Sequence, residues 1–216
     1  MAEACQITGD DVMGNQAPFY FDLSVKDIYL TLKCGATTHI IPKKDFLFPT
    51  LLIDFLEEKK VTALIWATSA FHLVANSGVL EKKAPSCLRT AILGGEALQA
   101  KQLNRWRAAL PQVQYINLYG PTEITVDCTY YVVNREFNDD EYIPIGNACH
   151  NMEILVFNDN DQLVTVSEPG ELCVRGTGVA LGYYNNEAKT KEVFVQNPLH
   201  NLYDDKIYRT GDIVKY

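Results

Sequence analysis

Between Thr37 and Leu118, short β-branched or apolar runs alternate with stretches whose apolar residues recur every three or four positions. That alternation leaves few folds open, because strands separated by helices of this length need right-handed crossovers and therefore a mainly parallel sheet covered on both faces. Thr37–Ile41 reads as a strand closed by Pro42, and Pro49–Lys60 as a helix carrying Leu51, Leu52, Phe55 and Leu56 on one face. Val61–Trp66, Arg89–Leu93 and Val113–Leu118 read as further strands, with helices over Ser69–Asn76 and Ala97–Leu110 between them. Upstream, a polar opening leads to the apolar run Phe19-Tyr20-Phe21. Val25, Ile28, Tyr29 and Leu32 then predict a helix from Ser24 to Cys34, with Ser24 and Asp27 as a capping box and Gly35 just past the end.

Beyond Glu123 the pattern changes. Thr125–Val133 is β-branched and aromatic, Met152–Asn158 alternates, 158–161 is a turn cluster, and Glu171–Arg175 and Ile207–Tyr216 are further strand candidates. The fold class expected is therefore α/β: a mainly parallel sheet flanked by helices, followed by an antiparallel sheet or distorted barrel. The polar run from Asn134 to Tyr142 places the boundary, giving an α/β part over 1–134 and a mostly β part over 135–216. Gly170–Gly178 reads as a hairpin with tight turns. It is not a phosphate loop, since G-x-x-x-x-G-K-[ST] is absent and Gly176-x-Gly178 opens no helix.

With 216 residues, 47% of them hydrophobic, the chain can bury a sizeable core. Its net charge of −8, without an extended basic cluster, speaks against broad binding to nucleic acid or an anionic membrane, so any phosphate must be held locally. The six cysteines are widely spaced with no C-x-x-C pair, which favours reduced thiols in a cytoplasmic protein over zinc or a disulfide framework. Met1–Asp10 has no leader pattern, and no apolar run approaches the ~20 residues needed to span a bilayer.

In open parallel sheets, ligands bind beyond the carboxyl ends of the strands. This sequence concentrates its unusual residues there: Trp66-Ala67-Thr68, Gly94-Gly95-Glu96 and Tyr119-Gly120-Pro121-Thr122-Glu123 each follow a strand. Gly94 and Gly95 leave room for a flat ligand, Tyr119 can stack on one, and the Gly-Pro turn holds Thr122 and Glu123 at the rim. Glu123 has two readings, a solvated acid or a metal-binding oxygen. So do Asp22, a dipole-complementing acid or a carboxylate aimed into a pocket, and Asp212, a turn acid or an acceptor for ribose hydroxyls.

Taken in order, Phe21-Asp22-Leu23-Ser24, Leu93-Gly94-Gly95-Glu96, Asn117-x-Tyr119-Gly120-Pro121-Thr122-Glu123, the stretch from Gly170 to Tyr183 and Tyr208-Arg209-Thr210-Gly211-Asp212 resemble the motifs of adenylation domains in the adenylate-forming superfamily. The branch is the amino-acid-activating one of nonribosomal peptide synthetases and D-alanine–carrier protein ligases, and the resemblance runs from about Gly14 to Tyr216. It implies an ATP-dependent ligase that makes an aminoacyl adenylate and passes the acyl group to the phosphopantetheine thiol of a carrier protein, with Mg²⁺ assisting. Nucleotide contacts would come from Gly94, Gly95, Glu96, Asn117, Leu118, Tyr119, Thr122 and Asp212. Thr122 would touch phosphate, and Glu123 would ligate the metal. Asp22 would pair with the substrate ammonium, and the rest of the pocket would be Leu23, Lys26, Trp66, Ile92, Gly94, Leu118, Val126 and Asp127. Lys26 and Asp127 favour a polar substrate, and Trp66 a small one.

The family's phosphate loop would precede residue 1, and its hinge and C-terminal catalytic domain would follow Tyr216, so the resemblance implies a fragment that is inactive alone. Leu181 stands where the family commonly has Arg. An acyl-CoA synthetase of the same superfamily and a noncatalytic binding module are the alternatives.

Overall fold

A computed structural model describes residues 5–216, so the first four residues of the Met1–Asp10 opening lie outside the described part. The chain divides into two compact units, one of residues 1–119 and 130–147, the other of 120–129 and 148–216. The boundary expected near 134–142 thus falls after Asn147, and the segment 120–129 goes to the second unit.

The first unit is built on strands β1 (Val12–Asn15), β2 (Thr37–Ile40), β3 (Ala63–Ala67), β4 (Thr90–Gly94) and β5 (Gln114–Tyr119). β1 pairs in parallel with β2 and β3, β3 with β4, and β4 with β5. β6 (Thr129–Val132) and β7 (Asn147–Ala148) complete a seven-stranded sheet of order β2-β1-β3-β4-β5-β6-β7. The helices between are α1 (Ser24–Cys34), α2 (Pro49–Glu58), α3 (Thr68–Asn76) and α4 (Ala100–Ala109).

Alternation along each strand divides the core between the two faces of the sheet. Leu64, Trp66, Ala91, Leu93 and Tyr115 face Leu52 and Leu56 of α2, Phe71 and Val74 of α3, and Leu103 and Trp106 of α4. The indole of Trp106 stacks on Phe71 at 4.7 Å and donates to the Phe71 carbonyl at 3.1 Å. On the other face, Met13, Ala63, Ile65, Ile92, Ile116 and Leu118 cluster with Leu23 and with Leu30 of α1. Burying each such side chain fully is worth about 1.5–3 kcal/mol, so this helix–sheet sandwich is stabilised chiefly by apolar burial.

Two expectations at α1 separate. Gly35 adopts the left-handed conformation, φ 71°, and its N–H closes the helix on the Thr31 carbonyl, as expected of a C′ glycine. No side chain caps the other end; Ser24 lies inside the helix and its hydroxyl donates backwards to the Phe21 carbonyl at 2.7 Å, which replaces the expected capping box.

The second unit holds a four-stranded sheet of order β10-β11-β9-β8, from β8 (Met152–Phe157), β9 (Gly170–Gly176), β10 (Phe194–Gln196) and β11 (Lys206–Val214). The pairings are antiparallel, with an irregularity in β11 between Arg209 and Ile213. Gly170–Gly176 is one continuous strand and not the expected hairpin, because Glu171–Gly176 pairs without a break with β8. A short helix, α5 (Glu187–Val193), precedes β10. No helix among the described residues is long and apolar enough to cross a membrane.

Candidate functional site

In the first unit, the carboxyl ends of adjacent strands β3, β4 and β5 carry the turns singled out by sequence. Thr68 joins the first two, its buried hydroxyl lying 3.3 Å from the Gly94 carbonyl and 3.1 Å from that of Glu96. Gly95 has φ 91°, and a Cβ there would meet nothing within 4 Å, so the turn is both glycine-dependent and open above. Glu96 is exposed, while Tyr119 is half-buried at the end of β5.

Asn117 is 4% exposed and its Nδ2 donates to the Pro144 carbonyl at 2.9 Å. It shares the face of Tyr115, whereas Leu118 shares that of Ile116.

The same parity corrects the pocket expected from sequence. Leu23, Ile92 and Leu118 do share one cluster, but Trp66 is on the opposite face. The Trp66 ring is fully buried, lies 5.2 Å from Phe46 edge to face, and its Nε1–H donates to the Gly14 carbonyl at 2.9 Å. Ile65 stands beside Ile92 and Leu118 instead. A shift of one residue along a strand exchanges its faces, and strand alternation within Ala63-Leu64-Ile65-Trp66-Ala67 was the signal available for it.

Asp22 sits half-buried in the turn before α1, its carbonyl accepting from the Val25 N–H at 2.9 Å. Lys26, on α1, is 7% exposed, and its charge bears on the buried neighbour Asp27.

In the second unit, Gly120 and Pro121 lead into a short 3₁₀ turn, Thr122–Ile124. A Cβ on Gly120 would lie 2.5 Å from the Asp127 Cα and 2.6 Å from the Val126 carbonyl oxygen, so the loop folds back on the glycine. Thr125 and Val126 follow with φ 62° and 81°. The strand expected from Thr125 is thereby delayed to Thr129, and a left-handed β-branched residue stores about 1–3 kcal/mol of strain that the surroundings must hold.

They do so by hydrogen bonds. Thr125 Oγ1 donates to the Gly178 carbonyl at 2.7 Å, and the Ala180 N–H donates to the Glu123 carbonyl at 2.8 Å. The Tyr183 hydroxyl donates to Glu123 Oε1 at 2.5 Å, and this bond is the first cause of a Tyr183 pKa above the usual phenol value. Burial first, then Tyr183 and Glu123, raise Tyr208 as well, so both phenols hold their protons beside this carboxylate. Thr122 is exposed, Val126 is buried and Asp127 is half-buried.

Asp212 lies in β11 next to Gly211, its N–H donating to Thr210 Oγ1 at 3.0 Å. Burial pushes the Cys128 thiol up to about 12, with Cys149, Asp127 and Asp212 adding to the shift, which brings Asp212 electrostatically within reach of the segment that follows the loop. Tyr183 and Tyr208 as partners of Glu123 were not foreseen; only their place in glycine-flanked motifs hinted at it.

Among the described residues no group of three or more His, Cys, Asp or Glu gathers as a metal site. Mg²⁺ is commonly held by one or two carboxylates together with phosphate oxygens and water, so a single carboxylate such as Glu123 fits a metal that arrives with a polyphosphate.

A family described as "AMP-binding enzyme" matches residues 1–184. The chain is 34% identical over 212 residues to Bacitracin synthase 1 of Bacillus licheniformis, covering 97% of this chain and 4% of the synthase. It is 36% identical over 214 residues to Tyrocidine synthase 3 of Brevibacillus parabrevis, covering 98% and 3%. Among solved structures, holo-PA1221, described as an NRPS protein containing adenylation and PCP domains, superposes with a TM-score of 0.84 at 26% identity, over 97% of this chain and 36% of that one. This chain therefore spans a small part of the synthases it matches. With its fold, its ordered motifs and a family match over most of its length in agreement, the chain belongs to the AMP-binding enzyme family.

Proposed function

We propose that this chain is the nucleotide- and amino-acid-binding part of an adenylation domain. The intact protein condenses an amino acid with ATP to aminoacyl-AMP and pyrophosphate, then transfers the acyl group to the phosphopantetheine thiol of a carrier protein. The observation that carries this reading is the family match over 1–184, which includes the turns after β3, β4 and β5 where an open parallel sheet receives its ligand. The amino-acid branch is favoured by the peptide synthases among its relatives and by the adenylation and PCP domains of PA1221. A cytoplasmic location fits that role.

In this reading the substrate carboxylate attacks the α-phosphorus and charge builds on the phosphoryl oxygens. Gly94, Gly95 and Glu96, Asn117, Leu118 and Tyr119 frame the adenine, Asp212 accepts from the ribose, and the Thr122 hydroxyl donates to phosphate. Glu123, oriented by Tyr183, would hold Mg²⁺, which when bound would neutralise phosphate charge. Asp22 pairs with the substrate ammonium, a contact that plain fatty or aryl acids do not offer. Within the first unit, Leu23, Ile65, Ile92 and Leu118 form an apolar wall, and Lys26 of α1 belongs to the same unit; Val126 and Asp127 are the second unit's candidates for substrate contact. Without Trp66 on that wall, the case for a small substrate lapses, and the two charged residues favour a polar side chain.

Pyrophosphate exchange by the intact protein across all amino acids tests this. Exchange with a polar amino acid is expected, and Glu123→Gln should lower kcat about 10²-fold, the scale for loss of one transition-state electrostatic contact. Exchange with no amino acid, or coenzyme A thioester formation without amino-acid selectivity, would overturn it.

A further inference from the structure

Asn15 and Asp27 are buried polar residues that the proposed chemistry does not use, at 3% and 1% exposure. Asn15 ends β1 on the side where the sheet's carboxyl ends lie. Its amide nitrogen donates twice, to the Ala17 carbonyl at 3.1 Å and to Asp27 Oδ2 at 3.0 Å, which uses both of its N–H groups. Asp27 Oδ1 has no hydrogen-bond partner among the described residues. Burial first pushes the Asp27 carboxyl up to about 7, against the Asn15 bond and the Lys26 charge. An apolar side chain would fill this place at lower cost, so packing alone does not account for the pair.

Its setting does. Between Ala17 and Leu23, the chain makes a series of turns, with Phe21 N–H on the Pro18 carbonyl, Ser24 N–H on that of Phe21, and Val25 N–H on that of Asp22. Ala17 and Leu23 are buried, but Phe19, Tyr20 and Phe21 between them are 60%, 86% and 58% exposed. Side-chain packing therefore does not hold this segment. Asn15 ties its entry at Ala17 to β1 and to the first turn of α1, and Gln16 adds a tie to the rim by accepting from the Ala67 N–H at 3.1 Å.

We propose that Asn15 and Asp27 are positioning residues that set the turn bearing Asp22 and Leu23, and through it the affinity for the amino-acid substrate. The catalytic effect rests on the adenylation reading above; the effect on the turn does not.

The test uses the intact protein and pyrophosphate exchange. Asn15→Ala and Asp27→Ala should each raise the amino-acid KM about tenfold, the scale of one buried hydrogen bond, while kcat and the KM for ATP stay within about twofold. Asp27→Asn, whose amide oxygen can still accept from Asn15, should restore the wild-type KM, and the double alanine variant should be no worse than either single one. If Asp27→Ala does not fold, Asn15→Ser serves, because one hydroxyl donor cannot make both bonds. A fall in kcat alone, equal rises in both KM values, or additive losses would overturn the role in substrate affinity. Amide exchange at Phe21, Ser24 and Val25 separates the two layers. Lost protection in Asn15→Ala, in a protein that exchanges pyrophosphate with no amino acid, would sink the adenylation reading and uphold the clamp. Full protection in that variant would sink the clamp.

Discussion

Trp66, Phe71, Trp106 and Tyr115 are almost completely buried among aliphatic neighbours in the first unit, whereas the sheet of the second is gripped by two arginines that each hold two carboxylates. Arg175 meets Asp205 and Glu153, both at 2.7 Å, and Arg209 meets Glu171 and Asp161, both at 2.8 Å. Apolar burial is insensitive to moderate changes of salt and pH; charge pairing is not. The difference teaches where each unit yields: the first to lost volume, the second to lost charge or distorted backbone.

The largest effect should follow from opening the first unit's core. Trp106→Ala removes a fully buried ring, its stack on Phe71 and its hydrogen bond, and should cost about 3–5 kcal/mol in urea unfolding followed by circular dichroism. A loss below about 1 kcal/mol would mean that the apolar side of the comparison is overstated.

Next comes the backbone of the second unit. Gly120→Ala drives a methyl into the main chain of Val126 and Asp127 and should cost about 1–3 kcal/mol, seen locally as faster amide exchange at Ala180, whose N–H bonds to Glu123. Unchanged protection there would show that the loop accommodates the methyl.

The smallest effect concerns charge. Burial raises the Asp205 carboxyl, but bonds from Arg175, Asn197 and His200 outweigh it, so the folded value lies below the ordinary 3.8. Such a group adds stability at pH above its unfolded value, and that stability is lost as pH falls through the folded one. Asp205→Asn should therefore lower stability at pH 6 and flatten its decline between about pH 5 and 2. Parallel declines for variant and parent would remove Asp205 from the account.

Much of the first unit could be read from period alone. The strands and helices between Thr37 and Tyr119 appear within a few residues of where their patterns place them, because tertiary packing there agrees with local preference. β1 escaped notice since Val12-Met13-Gly14-Asn15 is four residues long with a glycine inside and a polar end, yet it lies between β2 and β3. Thr125 and Val126 carry strand-forming side chains into left-handed conformations; only the contacts with the Gly178–Tyr183 stretch reveal why. At the candidate site the motifs lie on the turns after β3, β4 and β5, but the facing of Trp66 and Ile65 depended on register, which a short apolar run does not display.

The positions of the tryptophans have a practical consequence. The chain has two, Trp66 and Trp106, and both are in the first unit with no exposed surface. Indole fluorescence therefore watches one unit only, shifting red as water reaches those rings, while the second unit is silent at that wavelength. Set beside the far-ultraviolet signal of the whole backbone, the emission spectrum separates two unfolding events without any label: coincident curves mean that the units melt as one, and divergent curves assign each transition to its unit.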